Sequence, residues 1–336
     1  MGRTRFIGLA ALGLACSAEQ EDPSATSLGS SASASTTVTT AGDDSNDDSG
    51  EGGSSGDDPS NGDSDPSADS SDDDDPTGVG GSCDFDMTAA IRLSVDVTWA
   101  GGLAVLEGAG AIDIWLLGDL DAEGGEVGLT GRVCRIDLPD FETGLLAGNE
   151  TYGTMFPDSI WTSATMPTID AAASISTGDP GALLHLERGA VVLGATMADP
   201  LNGAWPADWH QLATTDHDGD AMPGVTAAAK TGGNYAFPRI DILNSNARAS
   251  EIFLVSRTTM EFNGTVDTCD SAAGEATLTM ENHSVGCEIT GGGQCSDGQT
   301  TTLDNNLPEF VISGGTFELL RLDDGAGCDA VFAALP

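Results

Sequence analysis

Asp216-His217-Asp218-Gly219-Asp220 is the densest group of chemistry-bearing side chains in the sequence. Three carboxylates at alternate positions of a short loop converge on one point, and hard oxygen ligands of this kind suit Ca²⁺. Asp216, Asp218 and Asp220 are therefore the expected metal ligands, with a structural role for the ion. The same residues also make an ordinary solvated acidic turn, so both readings stand at this level. A further ligand has to come from elsewhere in the chain, with Asp208 and Asp241 the candidates. Just upstream, Trp205-Pro206-Ala207-Asp208-Trp209 offers aromatic faces of the type that stack on a sugar ring, although tryptophan is more commonly a packing residue.

The acidic segment resembles the D-x-D-G-D loops of many extracellular calcium-binding repeats. It departs from the EF-hand, because Ala221 occupies the sixth position and Ala227 stands where the bidentate glutamate belongs. Signals for catalysis are poor. There is no H-E-x-x-H, no phosphate-binding glycine loop and no Ser-His-Asp order. His185 falls in the alternating run 182–187 and reads as structural, and His217 reads as a bystander of the acidic loop. Carboxylate pairs carry no information in a chain this acidic. No catalytic residue and no organic cofactor are expected. Asn149, Asn263 and Asn282 head sequons, which matter only in a eukaryotic secretory route.

The 54 acidic and 11 basic residues give a formal charge of −43, and Lys230 is the single lysine. Phosphate binding needs clustered cations that release counterions, so a nucleic-acid partner is excluded. The seven cysteines stand at 16, 83, 134, 269, 287, 295 and 328. Setting Cys16 apart leaves Cys83, Cys134, Cys269, Cys287, Cys295 and Cys328, an even set suited to three disulfides, whose pairings spacing alone leaves open. No close cysteine pair supplies a zinc knuckle. Disulfides imply an oxidising compartment.

Met1 to Arg5 is a short basic segment, and residues 6–15 are apolar and end in small side chains. Ten apolar positions are too few to span a hydrocarbon core, so 1–15 reads as a signal peptide. At Cys16 the sequence resembles the bacterial lipoprotein signal. Ala15 fits the position before the cysteine, whereas Gly13 and Leu14 depart from the usual leucine and small residue. The resemblance implies a thioether-linked diacylglycerol on Cys16 and an acylated amino group. In that pattern Ser17, rather than an aspartate, leans towards outer-membrane or cell-surface placement. An ordinary secretory signal is the alternative.

Residues 16–82 form an acidic linker in which Leu28, Val38 and Val79 are the only large aliphatics. Such a segment buries too little apolar surface to offset its ordering entropy and is expected to be disordered. A glycine-serine match to a nucleophile elbow, Gly52 to Gly56, lies inside it and carries no weight.

From Cys83 the pattern changes to period-two alternation over 83–336. Ile91, Leu93, Val95, Val97 and Trp99 share one face, with Arg92, Ser94, Asp96 and Thr98 on the other. Ile252 to Phe262 forms a second long run, expected to bend or end near Gly264. Further runs cover 127–138, 183–196, 276–280 and 316–322. One-sided alternation is the mark of antiparallel sheets with one wet face. The expected fold is all-β, either an antiparallel, lipocalin-like barrel or a large sandwich. One or two short helices are expected, the first opened by Ser296 and Gln299 and closed near Asn306, the second after Cys328. Together these readings point to a lipid-anchored envelope protein that displays a non-catalytic β module. The ligand left open is a glycan, a small lipid or a protein. A calcium-stabilised glycan-binding module and a secreted hydrolase are the alternatives.

Overall fold

The computed structural model describes residues 83–101, 105–123, 126–143, 150–231, 235–236, 240 and 247–336. Every described residue falls within the unit Asp73–Pro336. The segment 1–15, Cys16, the linker 16–82, Asn149 and Asp241 lie outside the described residues.

The described residues run through β1 (Met87–Trp99), β2 (Gly108–Glu123), β3 (Glu126–Asp137), β4 (Phe141–Glu142), β5 (Thr151–Tyr152), β6 (Thr154–Met155) and α1 (Asp158–Trp161). They continue through β7 (Thr168–Ile175), β8 (Leu183–Leu193), β9 (Ala195–Thr196), β10 (Ala213–Thr214), β11 (Val225–Ala229), β12 (Ala249–Thr268) and β13 (Ser271–Ile289). The last elements are α2 (Asp297–Asp304), β14 (Phe310–Arg321) and α3 (Cys328–Ala334).

Eight of these strands close on themselves. In the series β1, β2, β3, β7, β8, β12, β13, β14 each strand pairs antiparallel with the next, and β14 pairs back onto β1. The result is an up-and-down barrel, and the sandwich alternative falls away. Closure removes the exposed edges that would otherwise template aggregation. Along β12, β11 takes over the edge that β8 leaves, pairing Val225 with Leu254, and β6 extends β11.

An eight-stranded barrel is just wide enough for side chains to fill it. One buried cluster accordingly gathers residues from all eight strands, including Ile91, Ile114, Val133, Ile169, Leu186, Phe262, Leu278 and Phe317. The outward positions of β1 from Arg92 to Thr98 are polar and more exposed. This is the reverse of a lipid-spanning barrel, whose outward band is apolar. No helix among the described residues is long and apolar enough to cross a membrane.

The expectation that β12 ends near Gly264 is corrected. The strand continues to Thr268, because Gly264 opposes Gly274 and lets two backbones approach closely inside the barrel. A Cβ on Gly274 would lie 2.2 Å from the Asn263 carbonyl oxygen and 2.3 Å from the Gly264 Cα.

Both expected helices form. Gln299 accepts from the Ser296 backbone at 2.9 Å, which opens α2 as a capping box. A third helix, the four-residue α1, was not expected; no capping side chain announces it, since Pro157 precedes it. The six cysteines pair as Cys83–Cys269, Cys134–Cys328 and Cys287–Cys295. The second bond ties α3 onto the outside of the barrel. There Val331 and Leu335 cover Ala90, Trp115 and Leu117, and the Trp115 indole donates to the Leu335 carbonyl at 2.8 Å.

Candidate functional site

Between β8 and β11 the chain leaves the barrel for a long excursion, residues 195–224, that packs against its outer wall. Two glycines form its feet. Gly194 and Gly224 have φ of 75° and 90°, and a Cβ on either would come within 2.6 Å of the Leu254 carbonyl oxygen. Only glycine meets both demands cheaply. The excursion lays Met197, Trp205, Trp209, Leu212 and Met222 over Val192, Phe253, Val255 and Val285.

Asp216, Asp218 and Asp220 are brought together: each offers a carboxylate oxygen, and the three lie within 4.8 Å of one another. The Asp216 carboxylate accepts from the backbone N–H of Gly219 at 2.6 Å and of Ala221 at 2.9 Å. Burial works against its charged form, but these donors outweigh it and hold its pKa below the usual value. Asp220 accepts from Met222 N at 2.7 Å and from the Thr226 hydroxyl. Asp218 Oδ2 accepts from Thr226 N at 2.7 Å, while its Oδ1 is buried without a partner. Burial first, and the charge of Asp220 next, push Asp218 above the ordinary carboxylate range. A cation at this point would satisfy the unpaired oxygen and offset the repulsion.

The backbone fits that use. Ala221 has φ of 68°, the left-handed conformation that calcium loops reserve for glycine at this position. An L-residue held there costs about 1–2 kcal/mol.

Of the two suggested extra ligands, Asp208 does not join the cluster. Asp208 instead accepts from the backbone and ring nitrogens of His210, at 3.0 and 2.7 Å, and caps the turn Trp209–Gln211. Asp241 lies outside the described residues. Another carboxylate is nearby that the sequence pattern does not reveal. Glu251 of β12 opposes Glu288 of β13, and burial, then Glu288 and then Asp220 raise its pKa.

His217 is no bystander. It is 7 % exposed, and its Nδ1 accepts from Gly194 N at 2.9 Å, pinning the acidic loop to the foot of the excursion. Its carbonyl accepts from the Thr165 hydroxyl. His185 bonds Asn263 across β8 and β12 at 2.7 Å, as a structural residue would. The two tryptophans are engaged in packing: Trp205 stacks on His283 at 5.6 Å and 9° and lies under Arg257, while Trp209 stacks on His210.

A second feature lies at one end of the barrel. Ile136, Leu193, Leu254, Met280 and Phe310 from the strands enclose an apolar cavity of about 90 Å³ together with Val105, Phe141 and Phe156. Leu303, Asn306 and Leu307, in and just after α2, complete its wall. Tyr152, Thr154, Ser256, Asn282 and Asn306 bring its polar groups, and no carboxylate or cation lines it among the described residues. The alternation that fills the barrel elsewhere produces this space, because polar Ser256 and Asn282 occupy inward positions beside Met280. The sequence gives no sign of it, since its wall comes from segments far apart in the chain.

No protein-family model matches the chain, and no curated protein matches it.

Proposed function

We propose that the protein is a non-catalytic, lipid-anchored envelope protein whose barrel holds the end of a small apolar ligand in the cavity at its mouth. The observation that carries this reading is the cavity itself: an apolar wall with a few uncharged polar groups, at the end of a barrel otherwise filled by side chains. Ligand sites have this character. The volume sets the guest. A cavity of about 150 Å³ takes benzene, so the smaller space here suits the tip of an alkyl chain, with its polar end at the rim. A formal charge of −43 disfavours an anionic head and leaves a neutral or cationic one.

Octanol is the simplest probe. It should displace an environment-sensitive alkyl fluorophore from the wild type with saturation. Met280→Trp and Ser256→Phe, which fill the space from two sides, should each weaken fluorophore binding at least tenfold. Overpacking costs about 1–3 kcal/mol, so a melt confirms that each variant is folded. Undiminished binding in two folded variants removes the cavity as the site.

In the same reading Asp216, Asp218 and Asp220 bind Ca²⁺ and fasten the excursion to the barrel wall. What supports it is the convergence of the three carboxylates around the unpaired Asp218 oxygen. Calcium at ten times its dissociation constant adds about 1.4 kcal/mol. Chelator should therefore lower the melting midpoint of the wild type and leave Asp218→Asn unmoved. An unchanged wild-type midpoint ends the calcium assignment.

A further inference from the structure

His283 lies on the outward face of β13, beside the inward Asn282 of the cavity, and joins three separate segments. Its Nδ1 is 3.0 Å from both oxygens of Asp304, the last residue of α2, and its Nε2 is 2.9 Å from the Pro206 carbonyl of the excursion. Both partners are acceptors only. An imidazole with both nitrogens donating is an imidazolium, since the neutral ring carries a single N–H. We propose that His283 is a proton-operated latch that holds the C-terminal end of α2 across the barrel mouth, closed in the imidazolium form and loosened in the neutral form. The inference deepens the cavity reading, because α2 supplies part of the cavity wall.

The surroundings fit a latch. At its N-terminal end α2 is fixed covalently, since Cys295 precedes its cap Ser296 and is bonded to Cys287 of β13. At the other end its ties are polar, apart from buried Leu303. Asp304 accepts from His283 and from Ser284 N at 2.8 Å, and the Trp209 indole reaches the Thr301 hydroxyl at 3.4 Å. The charged groups facing the ring balance towards the cation. Asp304 comes from α2 and Asp208 from the excursion, with Asp208 itself bonded to His210. On β12, Arg257 opposes them from the far side of the cluster, but Glu281 of β13 binds its guanidinium. Burial of the ring disfavours the charged form. The bonds to Asp304 and Pro206 and the charges of Asp304 and Asp208 outweigh it, so the pKa rises above the ordinary histidine value. The sign follows directly. A raised folded pKa means that the latch is fully set below about 6.5 and is lost as pH climbs through the folded value.

Hydrogen exchange of the α2 amides in the full chain tests this without any ligand. After correction for intrinsic rates, protection of residues 300–305 should fall about tenfold between pH 5.5 and 8.5, the equivalent of one charge-assisted hydrogen bond. Histidine ¹⁵N shifts should show His283 doubly protonated at pH 6. Asp304→Asn should move the transition to lower pH, and His283→Gln should abolish it. Protection that does not change with pH in the wild type, or a neutral His283 at pH 6, overturns the latch; the wild type alone suffices if a variant fails to fold. Octanol binding is read separately, so an empty cavity and a missing latch are distinguishable outcomes.

Discussion

Replacing Cys134 and Cys328 together by serine is expected to cost the barrel about 5 kcal/mol, the chain-entropy value for a crosslink between residues 194 apart. Cys83–Cys269, with a separation of 186, belongs to the same class. Cys287–Cys295 closes only 8 residues, and its removal should cost about 2.5 kcal/mol on the same scale. The larger loss has a structural counterpart. Cys328 opens α3, and without the bond α3 rests on the packing of Val331, Leu335 and Phe332 against Ala90, Trp115 and Leu117 and on the Trp115–Leu335 hydrogen bond, with Arg92 and Arg135 lying against the Trp115 ring. Denaturant midpoints of the serine pairs, measured without reductant, give the order. A Cys287/Cys295 pair that matters as much as the Cys134/Cys328 pair would contradict the ranking.

Cys16→Ala should release the protein from the membrane fraction altogether. The lipoprotein-like signal implies several acyl chains on this residue. One myristoyl chain holds a protein only marginally, at about 10⁴ M⁻¹, and each further buried CH₂ adds about 0.8 kcal/mol. Loss of all chains should lower membrane partition by more than a thousandfold while the barrel melts as before. Metabolic acyl label should mark the wild type and be absent from the variant. Label that survives the substitution would remove the anchor from the account.

Strands with one wet face were readable in the sequence. In β1 the five residues assigned inward, Ile91 to Trp99, are all buried, and the outward ones are polar. Strand β2 was missed, because Ile112, Ile114 and Leu116 fill the barrel while Trp115 and Leu117 lie under α3. Burial on both faces erases the alternation. Strand β7 was missed as well, its run of small Ala171 to Ser174 giving little contrast between faces. Barrel closure and disulfide pairing depend on partners distant in the chain, so no local pattern encodes them.

The same division holds at the sites. Asp216, Asp218 and Asp220 were legible because one turn of backbone sets their spacing. Glu251 was not, because strand register places it. Nor was the role of His283, whose partners Asp304 and Pro206 lie 21 and 77 residues away. The cavity belongs to this second class, built by Ile136, Met280 and Leu303 from three distant parts of the sequence.

Methyl NMR of the oxidised full chain carrying ¹³C-methyl methionine addresses the ligand-holding claim most directly. Met280 lines the cavity, whereas Met197 and Met222 belong to the excursion and pack on the outside of the barrel. On titration with octanol the Met280 methyl should shift and saturate while those of Met197 and Met222 stay in place. A Met280 signal that does not move, or shifts confined to the outer methionines, would contradict an alkyl-binding barrel mouth.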